Sequence, residues 1–598
     1  MQPPELDVAP LTVVDALRRN AELSTGGLTF LDNAGKPTTL GWKQVWSAAQ
    51  DRARAILAHG LESGDRVAMV LSLPEDFVVT FYGCLVAGLV PVPMFPPLSF
   101  GRLDAYADSA VNILQVAGAK LIITDRALSN VLWQVVPRVK TLRDLVTVDQ
   151  LQSGKRFDGA LPSLTWEDLA FLQFTSGSTS APKGVMVTHG SLVANCWAIA
   201  TEGMNLVHGQ DCAISWLPLY HDMGLIGFVI TPMIRGVDAV FIPTLSFVKR
   251  PNVWMQTMHD FKGTVSFGPN FAFALAAKRA TEKELAAWDL SRMRCVGCGA
   301  EPINAQVMLE FVETFERCGM PGNAVMPAYG MAEATLAMSF ASQEGELPVA
   351  LVDAEAFRAE GLVKNPEPDA LALAFVGCGK AFSGHGFRII DADGNELPEG
   401  NQGEVCFRGP SLTAGYWQNE EATQASYGAD GWLRTGDLGF LLDGQIFITG
   451  RCKDLIILNG RNHHPQTIEW AAADVEGVRK GNVVAFSRPG KDSEELVVVV
   501  EVKPDAPANV ADAVRAAVAD QLSLKVADVV VLQAGQLPKT SSGKLQRRKT
   551  RDQYLAGNLG SEGDRTLGSG GETLTVARHV ARSLLGRATH AASKMLGR

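Results

Sequence analysis

The sequence predicts an α/β protein: a large N-terminal domain of β-sheets flanked by helices, a small β-barrel-like subdomain, and a small α+β domain towards the C-terminus. Its 598 residues allow several units, because a typical domain has about 150 residues. Up to about residue 450, short β-branched runs alternate with alanine-rich stretches, as strands and helices do in α/β proteins. From residue 403 onward, short strands separated by glycine turns appear, which is typical of antiparallel hairpins.

Individual segments support each part of this prediction. Residues 65–73, 119–125 and 238–243 are apolar runs bounded by turn residues, which predicts buried strands in the large domain. Strands are also expected at 403–409 and 443–450 in the barrel-like part, and at 482–488 and 495–502 in the α+β part, where 511–522 predicts a helix. The expected boundaries are 1–450 for the large domain, 451–556 for the small domain, 557–572 for a flexible linker with six glycines, and 573–598 for a separate basic helix.

Composition excludes several classes of protein. The net charge of −10 argues against nucleic acid as the main partner, since neutralising phosphates requires a basic face. Nine cysteines in 598 residues indicate reduced thiols rather than a disulfide framework. The apolar stretch 81–98 contains four prolines and two glycines, which disfavours a spanning helix. The N-terminus lacks the pattern of a signal peptide, so we expect a cytoplasmic protein.

One segment predicts a phosphate-binding loop. In 172–189, hydroxyl side chains and a glycine precede a lysine, and the residues concerned are Thr175, Ser176, Gly177, Ser178, Thr179 and Lys183. Glycine lets backbone N–H groups approach a phosphate, hydroxyls donate further bonds, and lysine adds positive charge. The GK[ST] ending of a Walker loop is absent. A serine- and glycine-rich surface turn is the alternative interpretation.

Further motifs follow this loop in a fixed order: WLPLYHDMGLIG, VGCGAEPI, PAYGMAEAT, GEVCFRGPSLTAGYW, GWLRTGDLG, GRCKDLIILNGRNHHP and LPKTSSGKLQRR. The series resembles the adenylate-forming superfamily, which contains acyl-CoA synthetases, peptide-synthetase adenylation domains, luciferases and fatty-acyl-AMP ligases. The resemblance covers about residues 10–555. It implies ATP and Mg²⁺ as cofactors, and a C-terminal domain that moves between two half-reactions.

The resemblance also implies roles for single residues in binding the nucleotide and its metal. Glu333 matches the glutamate associated with Mg²⁺. Asp437 matches the aspartate that accepts bonds from the ribose hydroxyls, and Arg451 the arginine that assists there. The remaining nucleotide-binding positions are the adenine-lining turn Gly299, Ala300, Glu301 and Pro302, the aromatic Tyr329 expected to pack on the base, and Gly330 and Met331 of the same motif.

Three further residues are assigned to catalysis and domain movement by the same resemblance. Lys544 matches the catalytic lysine of the mobile domain, and Lys453 the position about which that domain swivels. His221 resembles a gating histidine near the acyl site, with a purely structural histidine as the alternative. Cys295 and Cys298 form a CxxC without a partner pair, which disfavours zinc or redox use.

Five segments resemble the fatty-acyl-AMP ligase branch in particular: the YGMAEAT motif, 91–110, 268–273, the GRNHHPQTIE motif, and an insertion at 343–375 that in this branch contacts the small domain and hinders the CoA-using arrangement. The resemblance implies that a fatty acid becomes an acyl-adenylate and then passes to an acyl carrier protein or synthase module. A long-chain acyl-CoA synthetase is the alternative enzyme, and a catalytically silent lipid-binding protein is the alternative from another class.

The tail at 573–598 lies outside the resemblance. It contains five Lys or Arg residues and no Asp or Glu, and its apolar residues recur at helical spacing. A basic amphipathic helix on a glycine-rich tether suits an anionic membrane surface or an acidic carrier protein. Peripheral contact at the inner membrane face is therefore one expectation, and a frayed extension is the other.

Overall fold

The computed structural model describes residues 4–97, 103–175, 182–458, 461–490, 494–540, 543–560 and 587. Its main sheet is parallel at the centre and antiparallel at both edges. Parallel strands are generally covered by helices on both faces, which buries them. In spatial order the strands are Lys380–Ala381, Ala337–Phe340, Val325–Gly330, Cys295–Cys298, Val265–Gly268, Cys212–Ser215, Asp238–Phe241, Gly27–Leu31 and Pro37–Gly41.

A second, parallel sheet and a long hairpin lie beside this sheet. The parallel strands are, in order, Val90–Pro93, Arg66–Val70, Leu121–Thr124 and Asp144–Thr147. The hairpin consists of Leu169–Thr175 and Lys183–Thr188, which pair so that Thr175 faces Lys183. Residues 176–182 connect these two strands, and they belong to the segment predicted to bind phosphate.

Helices connect the strands of this N-terminal part. The α-helices are Val13–Leu23, Trp42–Leu57, Pro74–Val86, Leu103–Ala117, Arg126–Leu132, Val148–Ser153, His189–Ala198, Asp222–Gly224, Thr231–Ile234, Thr244–Lys249, Val253–Asp260, Asn270–Arg279, Glu282–Ala287, Ala305–Glu316, Ala354–Glu360 and Glu420–Ser426. Turns of 3₁₀ or π type are Pro4–Asp7, Val136–Arg138, Ile199–Gly203, Leu225–Ile230, Ala332–Ala334 and Cys452–Asp454.

An antiparallel sheet forms the barrel-like part. Its strands are Gly386–Ile390, Gly403–Arg408, Leu433–Leu442 and Gln445–Arg451. The 343–375 stretch adds a separate hairpin, Val349–Asp353 with Ala372–Val376, and its apolar residues pack on Phe440 and Phe447 of the antiparallel sheet. This stretch is therefore a folded module with its own helix, Ala354–Glu360, rather than an irregular loop.

The C-terminal part has its own mixed sheet and apolar core. Its strands are Val478–Pro489, Glu494–Val502 and Val526–Leu532, with a short hairpin of Ile456–Leu458 and Arg461–His463, and its helices are Pro465–Ala473, Val510–Leu522 and Arg547–Leu555. The first residues of the predicted linker pack against this part. Leu559 contacts its core, and the Gln536 side chain donates to the Gly560 carbonyl at 2.9 Å.

The strands and the helix predicted from the sequence are confirmed, with bounds that differ by a few residues. Among the described residues, no helix is long and apolar enough to cross a membrane. The predicted helix at 573–598 lies outside the described residues except for Arg587, whose guanidinium lies 5.3 Å from the Trp133 ring.

Candidate active site

The base of the predicted phosphate loop is held by the segment that carries Tyr416. The amide of Met186 donates to the Gly415 carbonyl at 2.9 Å, and the amide of Trp417 donates to the Gly184 carbonyl at 2.7 Å. At the end of the hairpin, the Lys183 ammonium lies over the Tyr416 ring, 4.7 Å from its centroid. Thr175 faces Lys183 across the hairpin, while Ser176, Gly177, Ser178 and Thr179 lie outside the described residues.

Glu333, the predicted metal ligand, is held in place by the same segment. The Tyr416 hydroxyl donates to Glu333 Oε1 at 2.7 Å, and the Thr413 hydroxyl and amide donate to the Glu333 carbonyl at 3.0 and 3.1 Å. Burial, followed by the charge of Glu333, raises the pKa of Tyr416, so Tyr416 remains a hydrogen-bond donor. Tyr416 therefore links the lysine of the phosphate loop to the glutamate assigned to the metal.

The predicted ribose-binding residues lie together. Asp437 and Arg451 are directly opposite each other on paired strands, and Arg451 Nε lies 3.2 Å from Asp437 Oδ1. The Tyr329 hydroxyl donates to Asp437 Oδ2 at 2.8 Å. Burial raises the pKa of Asp437, opposed by Arg451 and Tyr329. Tyr329 thus has a role that the sequence did not predict, which is to hold the buried carboxylate.

Close backbone approach explains the glycine of the YGMAEAT motif. A Cβ at Gly330 would lie 1.9 Å from the Leu336 carbonyl oxygen, so no side chain fits there. Met331 follows in extended conformation and leads directly to Glu333. The chain therefore runs within a few residues from Tyr329, which contacts the predicted ribose-binding Asp437, to the predicted metal ligand Glu333.

The predicted adenine turn, Gly299–Pro302, follows the strand next to that of Tyr329. A Cβ at Gly299 would lie 2.9 Å from the Ala328 carbonyl oxygen. Ala300 has a φ of +72°, which is an uncommon, strained value for alanine. Asn270 anchors the turn, because its side chain donates to the Pro302 carbonyl at 2.6 Å. Strain of this kind persists only where the surrounding structure holds it, and it occurs often at functional sites.

The charge of Lys544, in the C-terminal part, acts on two carboxylates of the N-terminal part. Burial raises the pKa of Glu301, and the charge of Lys544 opposes that rise. Burial alone would also raise the pKa of Asp222, but His221 and then Lys544 lower it to about 2. His221 Nδ1 lies 2.5 Å from Asp222 Oδ1. His221 and Asp222 are therefore in direct contact, while Lys544 acts on Asp222 and Glu301 through its charge.

The loop of Lys544 is tied to the predicted hinge by Arg547. The Arg547 guanidinium donates to Asp454 at 2.6 Å and to both oxygens of Glu469 at 2.8 and 2.9 Å. Asp454 follows the exposed Lys453 in the short helix Cys452–Asp454. Arg547 therefore connects the hinge, a helix of the C-terminal part and the end of the lysine loop.

The 343–375 module contacts the C-terminal part through its helix. Arg461 Nη2 lies 2.5 Å from Glu355 Oε1, and Arg358 donates to the Leu522 carbonyl at 3.3 Å. The Phe357 ring lies 5.9 Å from the His464 ring. Burial lowers the pKa of His464 to about 4, so this interface contains a neutral imidazole at pH 7.

The CxxC pair does not have the chemistry of a metal or redox site. Cys295 and Cys298 lie on the buried strand Cys295–Cys298, and burial raises the pKa of both thiols, that of Cys295 to about 12. A thiol with a raised pKa is a poor nucleophile. Within the described ranges, no cluster of three or more His, Cys, Asp or Glu residues could hold a metal ion.

Sequence reasoning did not predict roles for Tyr416, Asp222, Arg547, Asp454 and Glu469. All five are part of the quoted motifs, Glu469 as the last residue of GRNHHPQTIE. Their place in these motifs could have marked them as candidate functional residues, but it does not indicate which side chains contact each other.

Comparison with known proteins gives matches along nearly the whole chain. The family model of AMP-binding enzymes matches residues 17–417, and that of the AMP domain of Disco-interacting protein 2-like proteins matches residues 453–563. A Caulobacter vibrioides protein provisionally named an acyl-CoA synthetase is 40% identical over 85% of this chain and 89% of its own. The Moorena producens medium-chain-fatty-acid–[acyl-carrier-protein] ligase JamA is 33% identical over 92% and 96%.

Solved structures match as well. A structure from a study of fatty acyl-adenylate ligases of E. coli and L. pneumophila superposes with a TM-score of 0.88 at 34% identity. The match covers 92% of this chain and 99% of that protein. The likeness therefore includes the C-terminal part as well as the main sheets.

Proposed function

The chain belongs to the AMP-binding enzyme family as an acid–AMP-forming ligase, and from that premise we propose that its substrate is a fatty acid. The reaction joins the fatty-acid carboxylate to the α-phosphate of ATP and releases pyrophosphate. The observation that carries the proposal is the position of Lys183, whose ammonium lies over the Tyr416 ring while the Tyr416 hydroxyl donates to Glu333 at 2.7 Å. A cation held there can stabilise the negative charge that develops when two anions react.

The residues predicted to bind the nucleotide fit a nucleoside triphosphate. We assign Asp437 and Arg451 to the ribose and Gly299–Pro302 to the adenine. Lys183 and Thr175 are assigned to the phosphates, together with the loop residues Ser176–Thr179 that connect to them. Holding both reactants in one orientation supplies a large part of the rate enhancement in such reactions.

Glu333 suits a magnesium ion bound together with ATP. Mg²⁺ keeps several waters and takes one or two protein carboxylates along with substrate phosphates. The described residues offer Glu333 alone at this place, with Oε1 oriented by Tyr416. When bound, the ion would neutralise phosphate charge, and the residues of this chain would orient Glu333 toward it.

The 343–375 module supports a proposal about the acceptor of the acyl group. It contacts the C-terminal part through Glu355, Arg358 and Phe357, and we propose that these contacts oppose a rotation of that part. We propose that the enzyme therefore forms acyl-CoA poorly and passes its product to an acyl carrier protein or synthase module. The likeness to JamA supports this acceptor, whereas the Caulobacter relative supports the alternative of an acyl-CoA synthetase.

The test measures pyrophosphate release and acyl-AMP by mass spectrometry with a panel of fatty acids, then adds CoA or carrier protein separately. Lys544→Ala should slow adenylation about 10²–10³-fold, as expected for loss of one preorganised electrostatic group. Lys549→Ala, an exposed lysine on the following helix, should match the wild type. No pyrophosphate release with any fatty acid would contradict the substrate, and rapid acyl-CoA formation would favour the alternative.

A further inference from the structure

A fully buried carboxylate, that of Glu501, lies on the middle strand of the C-terminal sheet. Its strand, Glu494–Val502, pairs with a strand on either side, and the Glu501 side chain is 0% exposed. The Arg479 guanidinium, on a neighbouring strand, donates to Glu501 Oε2. Burying a carboxylate costs free energy unless it is paired and hydrogen-bonded. Arg479 provides a partner for one oxygen, and the other oxygen requires a second partner.

The second partner is the backbone at the start of the Lys544 loop. The Leu537 amide donates to Glu501 Oε1 at 2.8 Å, across 36 positions of the chain. Leu537 is itself buried in the apolar cluster on this side of the sheet, and Leu545 packs against the same cluster. Glu501 therefore fixes the point from which the Lys544 loop leaves the sheet.

The loop is closed as a hairpin by its own backbone. The Gln546 amide donates to the Pro538 carbonyl at 3.0 Å, and the Thr540 amide donates to the Lys544 carbonyl at 2.7 Å. The Lys544 amide in turn donates to Thr540 Oγ1 at 3.1 Å. Because Pro538 directly follows Leu537, a displacement of the Leu537 amide is passed through these bonds to the backbone of Lys544.

We propose that Glu501 is a positioning residue for Lys544, because its Oε1 atom holds the Leu537 amide and thereby sets the place of the hairpin that carries the lysine. The inference rests on the proposed function, in which Lys544 acts in adenylation. The role requires an oxygen that accepts the bond from Leu537, whereas the negative charge serves the ion pair with Arg479.

Substitution separates the acceptor from the charge. Glu501→Gln keeps an oxygen for the Leu537 amide, whereas Glu501→Met has a similar volume and no acceptor. Glu501→Met is combined with Arg479→Met, so that no guanidinium is left without its carboxylate. The matched control combines Glu495→Met with Arg488→Met, since Glu495 lies on the same strand and pairs with Arg488 at 3.0 Å instead of with the loop.

Hydrogen exchange of the full-length protein without nucleotide measures how firmly the loop is held. In the Glu501→Met, Arg479→Met variant, the peptide 537–546 should exchange about 10-fold faster, the effect of losing one hydrogen bond to a charged group. Peptides from the strand Glu494–Val502 should keep the wild-type rate, which distinguishes a released loop from an unfolded domain. Glu501→Gln and the matched control should exchange as the wild type does.

The effect on catalysis is measured as acyl-AMP formation from MgATP and the fatty acid that gives the fastest wild-type rate. The Glu501→Met, Arg479→Met variant should lower kcat about 10–100-fold, as expected when a reacting group is misplaced. The KM for ATP should be unchanged, and Glu501→Gln should retain most of the rate. In the Lys544→Ala background the same two substitutions should cause little further loss, because no ammonium is left to position.

A wild-type exchange rate for the peptide 537–546 in the Glu501→Met, Arg479→Met variant would overturn the proposal. A wild-type kcat in that variant would also overturn it, and so would an undiminished loss in the Lys544→Ala background. A wild-type protein that forms no acyl-AMP from any fatty acid would instead refute the proposed function.

Discussion

From the contact between the 343–375 module and the C-terminal part, we predict how readily the enzyme uses CoA as the acyl acceptor. Glu355 and Arg461 form a two-pronged ion pair, with contacts of 2.5 and 2.8 Å. If this pair helps to keep the C-terminal part from rotating, then reversing one charge should release it. Glu355→Arg places two like charges at the interface, and the double variant Glu355→Arg with Arg461→Glu restores the attraction in the opposite sense.

The size of the effect follows from the exposure of the pair. The two side chains are 51% and 63% exposed, and pairs in such surroundings contribute about 0.2–1 kcal/mol. Reversal removes the attraction and adds a repulsion of similar size, so we expect a change of about 0.4–2 kcal/mol, equal to roughly 2–30-fold in a population. If rotation limits acyl-CoA formation, its rate should rise by the same factor. The rotated state is a minor population, and its population rises in proportion to the change in the equilibrium constant.

The assay is the ratio of acyl-CoA to acyl-AMP when CoA is supplied, with acyl-AMP formation measured alone as the control for folding. The gain should shrink at high salt, since exposed pairs are screened. The charge-swapped double variant should return the ratio to the wild-type value. An unchanged ratio in Glu355→Arg, or a swap that fails to restore it, would refute the role of this contact.

The remaining predictions concern the metal, the pH dependence and the tail. Tyr416→Phe keeps the ring beside Lys183 but removes the hydroxyl from Glu333, so the Mg²⁺ concentration for half-maximal activity should rise about 10-fold, the cost of one hydrogen bond to a charged group. Tyr427→Phe, which contacts the Glu333 backbone instead, is its control, and an unaltered Mg²⁺ requirement in Tyr416→Phe would contradict the assignment. Burial lowers the pKa of His463 and His464 to about 4. Between pH 6.5 and 4 the unfolded chain binds protons at both rings that the folded protein does not, so the free energy of unfolding should fall as the pH falls. Urea unfolding should show that the free energy of unfolding falls less between pH 7 and pH 5 in His464→Gln than in the wild type. Equal decreases would contradict the conclusion that His464 is buried as a neutral ring. Truncation after Gly560 preserves the contacts of Leu559 and should leave acyl-AMP formation intact while reducing sedimentation with anionic vesicles or transfer to carrier protein at low salt. Equal behaviour of the two lengths in both assays would make the tail a passive extension.

Local patterns were enough to predict much of the fold. The runs at 65–73, 119–125 and 238–243 became parallel-paired strands of the two large sheets, because a short apolar run between turn residues already limits the backbone conformation. The motif residues Asp437 and Arg451 could be assigned to one site because their motifs occur in a known order. They proved to be opposite each other on paired strands.

Contacts between remote side chains could not be predicted in this way. Tyr416 reaches Glu333 across 83 positions and Arg547 reaches Asp454 across 93, and no local pattern encodes such pairs. The 343–375 stretch was expected to contact the small domain, but its hairpin and its packing on Phe440 and Phe447 depend on the tertiary arrangement. The sequence-based linker began at Gly557, whereas the chain still packs against the C-terminal part at Leu559 and Gly560.

The ion pairs of Arg547 with Asp454 and Glu469 join the segment after Lys453 to the end of the Lys544 loop. If the C-terminal part rotates about Lys453, as the sequence predicts, the Lys544 loop should therefore move with it. A rotation that makes room for an incoming thiol would then also withdraw the Lys544 ammonium from the nucleotide. We expect this link to set the order of the two half-reactions.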